Sequence, residues 1–145
     1  YEYAEMFAKK RIKEFKNSHK KHIILVLSLL FLFLIGSITI GPIVYKLWLG
    51  DQFKLSLLLA LFIVLDGCLY GLKNSIIIPM RSLNRFFKIS VIELAILLLG
   101  LFVSYYCLTR GYDYISHFLI ILFSTIIVLF ISVFIVRNDY KKLNK

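Results

Sequence analysis

Two acids stand where hydrocarbon would surround them. Asp66 interrupts the apolar run 55–72 and Glu93 the apolar run 89–108, and an ionisable side chain inside a lipid-length segment costs enough to mark an ion or substrate path by default. Asp66, Tyr70, Lys73 and Asn74 fall at i, i+4, i+7 and i+8. On a helix they share one face, which must look into protein or water. If that helix ends at Leu72, as Lys73 favours, Asp66 lies about 9 Å from the end of the span at 1.5 Å per residue. If it runs on to Ile78 before Pro79 stops it, Asp66 nears the middle. Glu93 lies about four residues into the next span, about 6 Å deep. In the shorter register the two acids sit at similar depth on consecutive helices, and neighbouring carboxylates can share a proton or, with backbone carbonyls, hold a sodium ion. The plainer alternative pairs Glu93 with Arg85 or Lys88, and Asp66 with Lys73, as ion pairs that carry nothing.

The elements that must position these residues follow from composition. Of 145 residues 60% are hydrophobic and only 18% charged, too little polar surface to cover a water-soluble domain of this size. Four apolar runs, 23–45, 55–72, 89–108 and 115–136, each meet the length of a bilayer core of about 30 Å as helices. Their continuity, without alternation, argues against barrel strands. The expected fold is an all-α integral membrane protein: four transmembrane helices, up-down and antiparallel, preceded by an amphipathic interfacial helix within the basic segment 1–22 and followed by a basic tail, 137–145.

Charge sets the orientation. Fifteen of the 18 basic residues fall in segment 1–22, in the turn 73–88 and in the tail, against three (Lys46, Lys54, Arg110) on the other side. The positive-inside rule puts both termini in the cytoplasm. The net charge of +10 then faces anionic membrane lipids and requires no nucleic acid.

Further positions carry weaker signals. Gly41-Pro42 predicts a kink near the outer end of the first span, and Ser37, Gly41 and Tyr45 form a strip suited to helix packing or to lining a cavity. Gly67 and Gly71 make a small-xxx-small pair open to close approach by another helix. Leu97, Gly100 and Ser104 continue the face of Glu93, and Gly111 breaks the turn 109–114. The fourth span reads as an outer, lipid-facing helix, its Ser124, Thr125 and Ser132 bonding back to their own backbone. His19, His22 and His117 read as interfacial side chains, without the acidic or Cys neighbours of a metal site. Cys68 and Cys107 lie too far apart in depth for a disulfide. No cofactor or metal motif, phosphate-cradling loop or nucleophile elbow is present, and the chain reads as a non-enzyme. Asp66-Gly67 lacks the residues that would continue a phosphatidyltransferase motif.

The order of features resembles a known family. A basic amphipathic connector precedes a span that closes with Gly41-Pro42-Ile43-Val44-Tyr45-Lys46-Leu47-Trp48-Leu49-Gly50-Asp51-Gln52-Phe53. A long span then meets Pro79, a basic turn bearing Ser82-Leu83-Asn84-Arg85, and two final spans joined by a short Gly-containing turn. This is similar to the last four helices of the bacterial polysaccharide flippases, in the exporter superfamily that includes the multidrug and toxin extruders. The resemblance covers essentially the whole chain. It implies the C-terminal part of an inner-membrane flippase with a missing N-terminal lobe of the same protein. That flippase would move an undecaprenyl-diphosphate-linked oligosaccharide, for O-antigen, capsule or exopolysaccharide, by ion-coupled alternating access. Under it Asp66 and Glu93 are ion-coupling candidates, Lys73, Arg81 and Arg85 candidates for the anionic diphosphate, and Ser37, Tyr45, Tyr70 and Asn74 cavity-lining candidates. The start at Tyr1, without an earlier Met, fits a C-terminal piece. The alternative is a small four-helix membrane scaffold or subunit, oligomerising through Gly67 and Gly71, with no transport of its own. A polymerase or acyltransferase fragment would need a large outer loop that this chain lacks.

Overall fold

The computed structural model describes residues 2–49 and 57–142, all-α without strands among them. Six helices follow in order: α1 Glu2–Ala8, α2 Ile12–Thr39, α3 Gly41–Leu49, α4 Leu57–Ser82, α5 Phe87–Thr109 and α6 Tyr114–Lys142. The helices α2, α4, α5 and α6 are each long and apolar enough to cross a membrane. Residues 50–56, with Phe53 and Lys54, and the last three residues lie outside the described set, as do the side chains of Tyr45 and Trp48.

The helices begin and end where local chemistry allows. The amphipathic helix expected within segment 1–22 is broken: Lys10 takes a left-handed φ of 55°, with its N–H on the Phe7 carbonyl and that of Arg11 on the Met6 carbonyl. This paired closure caps α1 and lets α2 start afresh at Ile12. The same closure ends α4, with Asn84 left-handed and the Arg85 N–H on Met80, and ends α5, with Gly111 left-handed and the Tyr112 N–H on Cys107. The break at Gly41-Pro42 is where the sequence places it, at Ile40 between α2 and α3.

α4 and α6 run well past their expected ends. α4 continues through Pro79 to Ser82, so much of the expected basic turn is helix and Asp66 lies near the helix middle rather than close to its end. α6 runs through the expected tail to Lys142.

Packing follows the sequence α2, α4, α6, α5, with α6 against both α4 and α5. This corrects the reading of α6 as an outer helix. Its buried Ser124, Val128, Ser132 and Val136 recur every four residues, beside buried Thr125, and small or narrow side chains at that spacing let neighbouring helices approach. On α5 the complementary surface is Gly100 and Ser104, both buried. A Cβ on Gly100 would come within 3.3 Å of Ser124 Cβ and closer still to its Oγ, and Ser104 Oγ is hydrogen-bonded to His117 Nδ1. His117 thus joins two helices.

The apolar core gathers at one end, where the start of α2 and of α5 meets the end of α4 and of α6. Ile76, Ile77, Met80, Ile89 and Val136 form it, with Ile23, Leu72 and Tyr140 packed around them. Elsewhere large side chains face outward: Phe31, Phe102, Phe123, Phe130 and Phe134 are each more than 60% exposed. Only lipid or protein suits such a surface.

One histidine ties the core end together. Pro79 has no N–H, so the Ser75 carbonyl four residues earlier loses its helical partner. The buried His19 supplies the missing donor, with Nε2 at 3.3 Å from that carbonyl. A carbonyl can only accept, so Nε2 carries the proton, and in the neutral ring Nδ1 accepts from the Tyr140 hydroxyl. Phe15 stands edge-on to Tyr140 and to Tyr3, and Tyr3 edge-on to His19, fastening α1 to the same point.

His19→Phe keeps the aromatic bulk but leaves that carbonyl and hydroxyl unpaired, an expected loss of about 1–3 kcal/mol. In a Pro79→Ala background the restored N–H can take the Ser75 carbonyl, so the same change should cost measurably less. Unfolding midpoints in mixed detergent micelles read this cycle, and equal costs in both backgrounds would refute the link.

Candidate functional site

The α4 face anticipated from spacing is real, but its partners differ from both pairings expected. Lys73 is buried at 1% side-chain exposure, and its Nζ is ion-paired and hydrogen-bonded to Glu93 Oε1 on α5. α4 and α5 do not pack backbone to backbone among the described residues, since α6 lies against both; the long Lys73 stem spans the gap. Tyr70 lines it, with Lys73 Nζ 4.0 Å from the ring centroid, close enough for cation–π attraction. The ammonium thus has a carboxylate on one side and an aromatic face on another.

Asp66 stands apart. It is seven residues before Lys73, about 10 Å along the helix, and its buried Oδ1 has no hydrogen-bond partner. The structure therefore gives neither an Asp66–Glu93 carboxylate pair nor an Asp66–Lys73 ion pair: the near end of α4 carries Lys73, and that is where Glu93 reaches. What the arrangement offers is a paired cation and anion, then two turns away a carboxylate oxygen with open capacity. Such an oxygen can accept a proton or a donor group from a passing ion or ligand.

Compared with protein-family models, curated proteins and solved structures, the chain has no match. Function therefore has to be read from these side chains.

The other expected site residues are dispersed. Asn74 accepts a hydrogen bond from the exposed Arg81 at 3.1 Å, about two turns further on. Arg85 is exposed and lays its guanidinium 5.7 Å from the Phe7 ring, linking the α4–α5 turn to α1. Ser37 borders a cavity of about 180 Å³ with Ile38, Ala60, Leu61 and Val64, between α2 and α4 and away from Lys73. The side chain of Tyr45 lies outside the described residues. Gly71 is taken up inside the chain, where an added Cβ would touch Leu30 at 3.5 Å, while Gly67 faces open space. No group of three His, Cys, Asp or Glu among the described residues could hold a metal ion.

Sequence reasoning missed His19 and the α6 strip. The cue for His19 was Pro79, which announces an orphaned carbonyl at Ser75 without saying who answers it. The cue for α6 was the four-residue recurrence from Ser124 to Val136.

Glu93→Gln strands the buried Lys73 cation and should destabilise the fold by about 3–5 kcal/mol, as broken buried pairs do. Lys73→Met combined with Glu93→Gln should recover most of that loss. Two single losses that simply add, measured by detergent unfolding, would argue against a direct pair.

Proposed function

We propose that the chain is the C-terminal part of an inner-membrane flippase of the bacterial polysaccharide type. It would work with an N-terminal lobe of the same protein to move an undecaprenyl-diphosphate-linked oligosaccharide by alternating access. The observation that carries this reading is the set of ionisable groups drawn into apolar helices: Asp66 with a buried, unpartnered Oδ1, two turns from the Lys73–Glu93 pair whose lysine is buried. A scaffold has no need of a carboxylate oxygen buried and left open, and charges within apolar helices are otherwise expensive. The resemblance of the Gly41–Phe53 stretch and of the order of spans supports the same class.

In this proposal Asp66 takes up the coupling ion or proton. Glu93 holds Lys73, and exposed Arg81 and Arg85 meet the diphosphate at the cytoplasmic mouth, where guanidinium forks suit phosphate oxygens. Loading of Asp66 changes the charge on the α4 face, which biases the rocking of one lobe against the other. The scaffold reading is weakened by Gly71, which packs against Leu30 of its own chain.

In the full-length protein, Asp66→Asn should reduce export of the lipid-linked sugar to a small fraction of the parent rate, while Asp113→Asn in the exposed outer turn leaves it unchanged. Undiminished export by Asp66→Asn would overturn the coupling role. Orientation has its own test. With Cys68 and Cys107 replaced by Ala, Lys13→Cys and Lys141→Cys should react with an impermeant maleimide from the cytoplasmic side and Arg110→Cys from the opposite side. Labelling of all three from one side would rule out the proposed topology.

A further inference from the structure

Between α2 and α6 a groove of about 500 Å³ opens to the surface, within the size range of ligand clefts, about 300–1,000 Å³. Among the described residues the backbones of the two helices stay apart, the helices touching through side chains at the His19–Tyr140 end, and α4 floors the gap with Leu72 and Ile76. The lining is sorted by chemistry along its length. On α2 the residues Lys16, His19, Lys20, Ile23, Ile24 and Leu27 recur on one face, cationic first and apolar for the following two turns. On α6 the order is reversed, Val133 and Val136 preceding Arg137 and Tyr140. Because the start of α2 meets the end of α6 at the His19–Tyr140 hydrogen bond, both cationic ends fall together. The groove has a basic mouth and a greasy trough.

Two cations of the mouth stand open. Among the described residues no Asp or Glu lines it, and neither Lys20 nor Arg137 forms an ion pair with a described residue. Both are exposed, so their charges are available at the height where His19 and Tyr140 close the inner end of the groove. Apolar Ile24, Leu27 and Val133 beyond them are each more than 40% exposed, unfinished surface of the kind a hydrocarbon chain completes. From Lys16 to Leu27 is eleven residues, about 16 Å of trough.

The geometry points to a bound anionic phospholipid, its phosphate between Lys20 and Arg137 and one acyl chain lying along Ile24, Leu27, Leu72 and Val133. Basic pockets between membrane helices select anionic head groups in this way. This site is separate from the Lys73–Glu93 face and stands whether or not the chain belongs to a flippase. The bound lipid would act as a wedge, filling the gap that α2 and α6 leave above α4.

The test uses the full chain in nanodiscs of phosphatidylcholine containing a minor fraction of phosphatidylglycerol, with retained lipid counted by native mass spectrometry after release. Wild type should retain phosphatidylglycerol over phosphatidylcholine by on the order of tenfold, the effect of two cations near one phosphate. Lys20→Gln with Arg137→Gln should abolish that preference, whereas Lys13→Gln with Lys141→Gln, an equal loss of charge outside the groove, should keep it. Val133→Trp, which fills the trough, should lower retention with the rim intact. Equal retention of the two lipids by wild type would overturn the proposal. So would an equal drop in both charge variants, which marks diffuse attraction, or displacement of the lipid by inorganic phosphate alone, which marks a head-group site without a trough. Crosslinking between copies from Val133→Cys would assign the groove to a second chain and likewise overturn it.

Discussion

At position 79 of α4 the backbone has no N–H to give, and the carbonyl of Ser75 would stand unpaired in a setting without water to relieve it. The His19 imidazole answers it from α2, and its other nitrogen takes the Tyr140 hydroxyl from α6. One ring thereby sets the mutual placement of three membrane-length helices. Around it lie the buried apolar residues of the core, and α1 reaches it through Tyr3. A hydrogen-bond defect in one helix has become the joint of the assembly. In lipid this matters more than apolar contact, because hydrocarbon tails solvate Leu and Phe as well as another helix does.

With that end fixed, α6 becomes the spine. Its strip from Ser124 to Val136 receives Gly100 and Ser104 of α5 on one side while α4 packs on another. The consequence for the charged face is direct. α4 and α5 are held apart, so a short acid on α4 could not meet Glu93, whereas the lysine at 73, with its long stem, does. The same spacing leaves Asp66 further along α4 with an oxygen unanswered. It also keeps the backbones of α2 and α6 apart over α4 beyond the His19–Tyr140 contact, which forms the groove with its basic mouth.

Much of this was legible in the residues. The four apolar runs, the break at Gly41-Pro42 and the left-handed closure at Gly111 are local properties, fixed by side-chain hydrophobicity, by a missing N–H and by a missing Cβ. The shared face of Asp66, Tyr70, Lys73 and Asn74 follows from the helical period alone. The extents were less legible. Pro79 reads as a stop, yet α4 passes through it because a side chain from elsewhere satisfies the carbonyl the ring releases. The basic tail reads as a segment beyond the last span, yet α6 continues through it as far as Lys142, with Tyr140 packed against the core.

What the amino-acid order determined on its own is therefore the class of molecule: a helical chain for lipid, with acids where lipid would not tolerate them. Pairing was left to the tertiary structure, which decided that Lys73 meets Glu93, that His19 meets Ser75 and Tyr140, and that α6 lies innermost. The reason is physical. Hydrophobic length and backbone chemistry act within one helix and are written in consecutive residues. A partner for a buried charge or an orphaned carbonyl is chosen by distance across helices, and several side chains of suitable chemistry stood at comparable positions along the chain.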